Sequence, residues 1–594
     1  HCISSAASDV YKRQICSIAL IAGSLLSTGI FISCGDQFPE EYPWMIGRQE
    51  EMDNTNEEGA GATDITVLEK ELRGAIPFMI NYSHEPGGNW EPHDYQYGRA
   101  NNIDNYSGYW TTSKGTFTFG GPLPTLYTYP NDYLGGANSN QIFTQSVNAI
   151  LHATELGKPE WRAVALIIQA YAGHEIVDFY GAAPFTDWRN VKRIPPLAYE
   201  KGADIYDKIF NDLDEAIVIL KERKPSQTEL EKIEDSNGKN ISYGDWRRWV
   251  KFANSIKLRM AMNIVKYDAG KAQQKAEEAV ADEIGVLTEH DDKDIAYYPA
   301  GETVCCLWKI CNTWNDLRLN ASLENILKHF ENPLLTEWFD SNPSPIKDKN
   351  SGIVAPIDVY GMRAGIDMRK INTSDRKSGY GPFAVLTDKY KFMHQPFLKR
   401  VECLFLRAEG ALRGWSMGGT AKDFYESGIR LAFEENGITD QSIIDEYINR
   451  TEVKDVDYTD PFNGIHNIKG RVKVDVKWNE ADTDELKLEK IITQKYIANF
   501  PMSGEAWTTF RRTGYPRLFP VYLNGDMEDV DLELQLRRIP LVKTTNNTLE
   551  IASLEEALGA PNQGSTRVFW DVPTEQRGEK SPDNKYNLVI PVNF

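Results

Sequence analysis

His174-Glu175-Ile176-Val177-Asp178 begins like the zinc helix of a metallohydrolase, but Asp178 occupies the position one turn on that the second histidine ligand requires. Ser236-Asn237-Gly238-Lys239 and Ser374-Asp375-Arg376-Lys377 satisfy a Ser-x-x-Lys spacing, and the companion motifs of the enzymes that use it are missing. No nucleophile elbow or phosphate loop is present. With 86 acidic residues, carboxylate pairs suited to glycoside hydrolysis can be found by chance and carry no weight. The run Asp526-Met527-Glu528-Asp529-Val530-Asp531 lacks the glycine of a calcium loop, so it reads as a solvated acidic face. Cys305, Cys306 and Cys311 lack the paired spacing of a zinc site; with Cys403 they read as buried thiols, one pair staying open to oxidation in an exported chain. No catalytic residue, metal ligand or cofactor is assigned.

Binding chemistry is better represented. Flat apolar ring faces edged by hydrogen-bonding groups are what a sugar ring needs, and aromatic side chains outside helical stripes can supply them. Seven aromatic positions beside Gly or Asn in irregular sequence meet that description, Trp90, Tyr106, Tyr109 and Trp110, then Trp308 and Trp314, then Tyr360, with Arg363 as a polar neighbour of the last. The competing reading for each is that it staples its loop to the body, because most aromatic residues are core.

The N-terminal part carries an address. Lys12-Arg13 precede the uncharged run Ile15–Ser33, which ends at Phe31-Ile32-Ser33-Cys34. A basic start, an apolar run and a small residue before cysteine form a lipoprotein signal, with Cys34 as the lipidated first residue of the mature chain. One acyl chain holds a membrane weakly and two or more hold it durably. Gly23, Ser24, Ser27, Thr28 and Gly29 make the run a mediocre permanent span. Residues 1–33 are thus read as signal peptide, with the nativeness of 1–14 left open, and 34–68 as lipidated N-terminus and polar tether. Residues 69–594 form the functional domain. A net charge of -21 excludes nucleic acid, whose phosphates demand a basic surface.

From about Glu69 to Tyr133 the sequence is irregular and rich in Gly, Pro, Asn and aromatics. Helices are then predicted over Pro159 to about Phe179, along the stripe Tyr206, Ile209, Phe210, Leu213, Ile217 and Leu220, and along Trp249, Phe252, Ala253, Ile256, Met260 and Ile264. Val401, Leu404, Phe405, Ala408 and Leu412 mark another, Phe424, Ile429 and Phe433 its neighbour, and a further one runs from Leu488 to about Asn499. Helices recurring in pairs imply a mainly α, tetratricopeptide-like helix-pair solenoid. Long irregular insertions are expected over about 290–397 and 464–487.

Five ordered blocks resemble the SusD/RagB family of outer-membrane lipoproteins. They are Trp161–Phe185, with Phe179-Tyr180-Gly181-Ala182-Ala183-Pro184; Ile205-Tyr206-Asp207 with Asn211–Ala216; Trp249–Met262; Phe405–Gly414 with Tyr425–Ile429; and Gly504-Glu505-Ala506-Trp507 with Phe510-Arg511-Arg512-Thr513-Gly514-Tyr515-Pro516-Arg517-Leu518. Asn332-Pro333-Leu334 departs from the family's usual Asp-Pro-Arg. The resemblance implies a cell-surface protein, lipid-anchored to the outer membrane and not an enzyme. It would bind an oligosaccharide or, as some relatives do, a peptide, and deliver it to a SusC-like TonB-dependent transporter. A surface glycoside hydrolase and a helix-repeat interaction scaffold are the rival readings. Arg511, Arg512 and Trp507 are expected to pin the last segment to the body with Glu505 as partner, and Asp178 and Arg259 to form scaffold ion pairs.

Overall fold

A computed structural model describes residues 64–79, 95–113, 139–234, 241–297, 304–368, 379–525, 527–580 and 587–594. Cys34, the uncharged run before it and Trp90 lie outside the described residues. Thr63–Phe594 gathers into one compact unit. Its principal helices are α1 Ile65–Phe78, α2 Ser139–Glu155, α3 Pro159–Tyr180, α4 Gly202–Arg223, α5 Trp246–Asn263 and α6 Ala269–Ala281, followed by α7 Arg400–Leu412, α8 Ala421–Glu435, α9 Asp484–Ala498 and α10 Ser503–Thr513. From α1 to α6 each helix packs on the next; α5 then meets α7, which packs on α8 and α9. This is the stacked helix-pair solenoid that the periodicity predicts.

Local chemistry sets the helices. Asp64 caps α1 by accepting from the Thr66 N–H at 3.0 Å, and Leu68, Leu72, Ala75 and Ile76 form its buried stripe. Asp245 caps α5 through the Arg247 N–H, also at 3.0 Å, and the predicted stripe from Trp249 to Met260 is buried. Pro159 opens α3, where its missing N–H costs nothing, and Gly181 ends it at φ 84°. The helix α3 is buried on nearly every face because α2 and α4 flank it.

Three stretches differ from the sequence expectation. Residues 65–78 are helical, so the first turn of α1 lies within the expected tether and the rest opens the stretch read as irregular. The 290–397 insertion contains helix Ala321–His329, capped by Asn320 and burying Leu323, Ile326 and Leu327. Nine residues give too few turns for periodicity to register. Helix α9 begins inside the second insertion because Thr483 caps it through the Leu486 N–H at 3.2 Å.

The C-terminal segment is latched by buried charge. Arg512 donates twice to Glu409 of α7, at 2.7 and 2.6 Å, with both side chains about 1% exposed. Arg511 stacks 3.7 Å from the Trp507 ring and donates to the Asp178 carbonyl at 2.7 Å. Glu505 instead pairs with Lys495 at 2.6 Å and lies 3.6 Å from Arg259. It therefore partners α9 and α5 rather than the tandem arginines, which lie about two turns further along α10. Arg259 forms a bidentate pair with Glu402, at 2.6 and 2.8 Å. Among the described residues Asp178 makes no salt bridge; its carboxylate accepts from the Trp570 indole at 2.8 Å and from the Tyr206 hydroxyl. Burial raises its pKa to about 7 against these hydrogen bonds.

Candidate functional site

Three irregular segments, 95–113, 304–319 and 379–398, are knitted together at one place. Strand Trp110–Thr112 pairs antiparallel with Leu317–Leu319, Trp110 lying opposite Leu319. Gln96 donates to the Asp316 carboxylate at 2.6 Å, and the Ser113 N–H to the Asp316 carbonyl at 3.0 Å. From the third segment, the Lys391 carbonyl accepts from the Cys305 N–H at 2.8 Å and the Leu386 carbonyl from the Asn312 side chain at 2.7 Å. Such cross-links between segments position side chains on loops, which a binding site on loops needs.

The candidate aromatic residues divide at this junction. Tyr106, Tyr109 and Trp110 lie beneath it. The Tyr106 ring packs 5.2 Å from Trp507, Tyr109 sits 4.4 Å from Tyr496, and Trp110 is wedged 5.7 Å from both Phe339 and Phe500. Tyr109 and Trp110 are 0% exposed. Burial in apolar surroundings drives the Tyr106 and Tyr109 hydroxyl pKa values upward. Arg363 is also buried: it donates to the His466 and Pro520 carbonyls, each at 3.3 Å, and stacks 5.4 Å from the Tyr522 ring. Tyr360 is 9% exposed, with the Lys328 ammonium 5.0 Å from its ring. Tyr106, Tyr109 and Trp110 thus brace the junction, while Arg363 packs against His466, Pro520 and Tyr522 and Tyr360 against Lys328.

Trp308 and Trp314 lie above the junction, each half-buried. Trp308 closes the turn Cys306–Trp308, and the wider turn Lys309–Thr313 carries the chain to Trp314. The Lys391 ammonium stands 5.2 Å from the Trp308 ring and 5.5 Å from that of Phe392, which is 56% exposed. Lys309 sits 5.9 Å from the Trp314 ring. The Trp308 indole N–H is buried without a hydrogen-bond partner among the described residues. This surface offers ring faces, aliphatic lysine stems and ammonium donors together, the mixture that recognises a polar molecule with apolar faces. Phe392 and Lys391 were not read as site residues from sequence; Phe392 had the same signal as the others, an aromatic residue in an irregular stretch.

Among the described residues no cluster of His, Cys, Asp or Glu could hold a metal ion, and no helix is long and apolar enough to cross a membrane. Cys305, Cys306, Cys311 and Cys403 are all buried.

Residues 53–571 match the SusD-like family, described as SusD and RagB outer membrane lipoprotein. The chain belongs to this family. A chitin-binding SusD homologue from Flavobacterium johnsoniae is 30% identical, with 86% of this chain and 98% of that one covered at a TM-score of 0.68. SusD homologues from Bacteroides thetaiotaomicron and Bacteroides uniformis are 28% and 26% identical, each covering 85% of this chain and 98% and 99% of their own, at TM-scores of 0.70 and 0.71. Comparison with the curated proteins found no match. The chain is thus a nutrient-binding outer-membrane lipoprotein by family, built on the helical fold its relatives share.

Proposed function

We propose that the Trp308 surface captures an oligosaccharide and that the protein passes it to a SusC-like TonB-dependent transporter, from the cell exterior and without cleaving it. The observation that carries this reading is the group of half-buried and exposed rings, Trp308, Trp314 and Phe392, held on the junction of three segments with two lysines over them. Each ring can stack on a sugar face while its polar neighbours bond the hydroxyl rim. Trp90, in the sequence before the junction, is a further platform in this proposal. Cys34 carries the lipid anchor.

Chito-oligosaccharides are the first probes, because the relative from Flavobacterium johnsoniae is chitin-binding. A glycan array followed by calorimetric titration is expected to find a bound oligosaccharide whose chain length is unchanged after incubation. Turnover above a buffer control would replace this reading with a hydrolase. Cys34→Ala should release the protein from membranes, and protease treatment of intact cells should degrade the native form.

A further inference from the structure

Away from the aromatic surface, a cleft of about 750 Å³ lies between the extended segment around Gly470–Val474, the ends of α9 and α10, and the C-terminal strand Asn587–Ile590. That volume falls within the range of ligand sites, roughly 300–1,000 Å³. Its half-buried and exposed apolar wall is aliphatic: Leu486, Leu534, Leu588 and Ile590, the last 47% exposed. The aromatic ring lining it among the described residues is Phe510, 6% exposed, so no platform is offered to a sugar. The rim carries ion pairs of both signs, Lys469–Asp457 and Lys473–Asp455 at 2.5 Å and Arg471–Glu533 at 2.9 Å.

One edge of the cleft is unfinished. Val472, Val474 and Val476 are buried while Arg471, Lys473 and Asp475 between them are half-buried or exposed, the period-two alternation of a strand. Its antiparallel pairing with the neighbouring segment is interrupted after the Tyr458–Ile468 bridge and resumes only where the Lys477 N–H donates to the Arg450 carbonyl at 3.1 Å. Between those two points, no backbone N–H from Arg471 to Val476 donates a hydrogen bond among the described residues. The Val474 and Val476 carbonyls accept from His329 at 3.0 Å and from the Tyr425 hydroxyl at 2.6 Å, on the side of the body. The backbone groups of Arg471, Lys473 and Asp475 alternate to the other edge. A strand edge with unpaired donors and acceptors is a template for another strand.

We propose that this cleft is a second binding site, which takes an extended segment of a partner polypeptide as an added strand along Arg471–Val476. Main-chain hydrogen bonds would supply affinity. Specificity would come from alternate side chains, aliphatic ones against Leu588 and Ile590 and charged ones of both signs against the rim pairs.

The test uses the full mature chain and a panel of synthetic octapeptides alternating valine with lysine or glutamate, each in free and terminally capped form and with backbone N-methylated controls. Capped members are expected to bind, to slow hydrogen exchange at Arg471–Val476, and to lose about tenfold or more in affinity on N-methylation or against Ile590→Lys. Trp308→Ala should bind them normally, which separates this site from the glycan surface. Three results would overturn the proposal: no panel member binding better than its N-methylated control, exchange at Arg471–Val476 already slow in the free protein, or binding that requires free peptide termini, which would indicate a nutrient peptide instead.

Discussion

Tyr106-Ser107-Gly108-Tyr109-Trp110 and the stretch from Trp308 to Trp314 look alike in sequence, both aromatic and set in irregular context, yet they end on opposite sides of one junction. The first enters a strand, and pairing with Leu317–Leu319 places Trp110 under Phe339 and Phe500. Gly108 turns the chain at φ 76°, where a Cβ would stand 3.0 Å from Leu518 and 3.1 Å from the Tyr496 hydroxyl. The second stretch is a short helical turn anchored by its backbone, which leaves its rings at the surface. Aromatic content marks a region as ordered; the backbone pairing of that region decides whether its rings are structural or available.

Trp110→Ala should produce the largest effect of any aromatic truncation here, a stability loss of about 3–5 kcal/mol, because a large cavity opens in packed surroundings. Chemical denaturation checks it; a change below about 1 kcal/mol would erase the distinction between the two stretches. Arg512→Leu tests the buried latch of the C-terminal segment and should cost about 3 kcal/mol, since the buried Glu409 would lose its bidentate partner and keep only Arg413 at 3.0 Å.

Acid should reach the buried side first. Burial alone would raise the Glu409 pKa, but Arg512 and Arg413 outweigh it and hold the carboxyl at about 2, below its ordinary 4.5. A carboxyl depressed on folding stabilises the protein fully above its unfolded pKa and loses that contribution as pH falls through the folded value. Thermal melting from pH 5 down to pH 2 should show a decline that Glu409→Gln makes shallower. An equally steep decline in that variant would assign the acid sensitivity elsewhere. The smallest effect is expected for Lys391→Ala: loss of the ammonium over Trp308 and Phe392 should weaken glycan binding by ~0.5–1 kcal/mol with the melting temperature unchanged.

How much was legible in the sequence follows the same division. The stripes of α3, α4, α5, α7 and α8 repeat over several turns, so periodicity alone predicts them. Helix α1 shows the same pattern at Leu68, Leu72, Ala75 and Ile76, but its neighbours are rich in Gly, Pro and Asn, and the composition around it masked the stripe. The five family blocks pointed to the fold because they are local. The burial of Trp110 was not legible, since it depends on a strand more than 200 residues away in the chain. Likewise the Glu409 partner of Arg512 is 103 positions removed, whereas Glu505, the partner read from sequence, was merely near. Phe392 joins the candidate surface because the Lys391 carbonyl accepts from the Cys305 N–H and brings its segment beside Trp308, a pairing between distant segments that no local pattern encodes.

The most direct test is calorimetric titration of the wild type, Trp308→Ala and Trp110→Ala with the glycan selected by the array, each variant also melted under the same conditions. Trp308→Ala is expected to lose about tenfold or more in affinity, ~1.4 kcal/mol, at an unchanged melting temperature, while Trp110→Ala loses stability. Wild-type affinity in a normally folded Trp308→Ala protein would contradict the assignment of ligand capture to this surface.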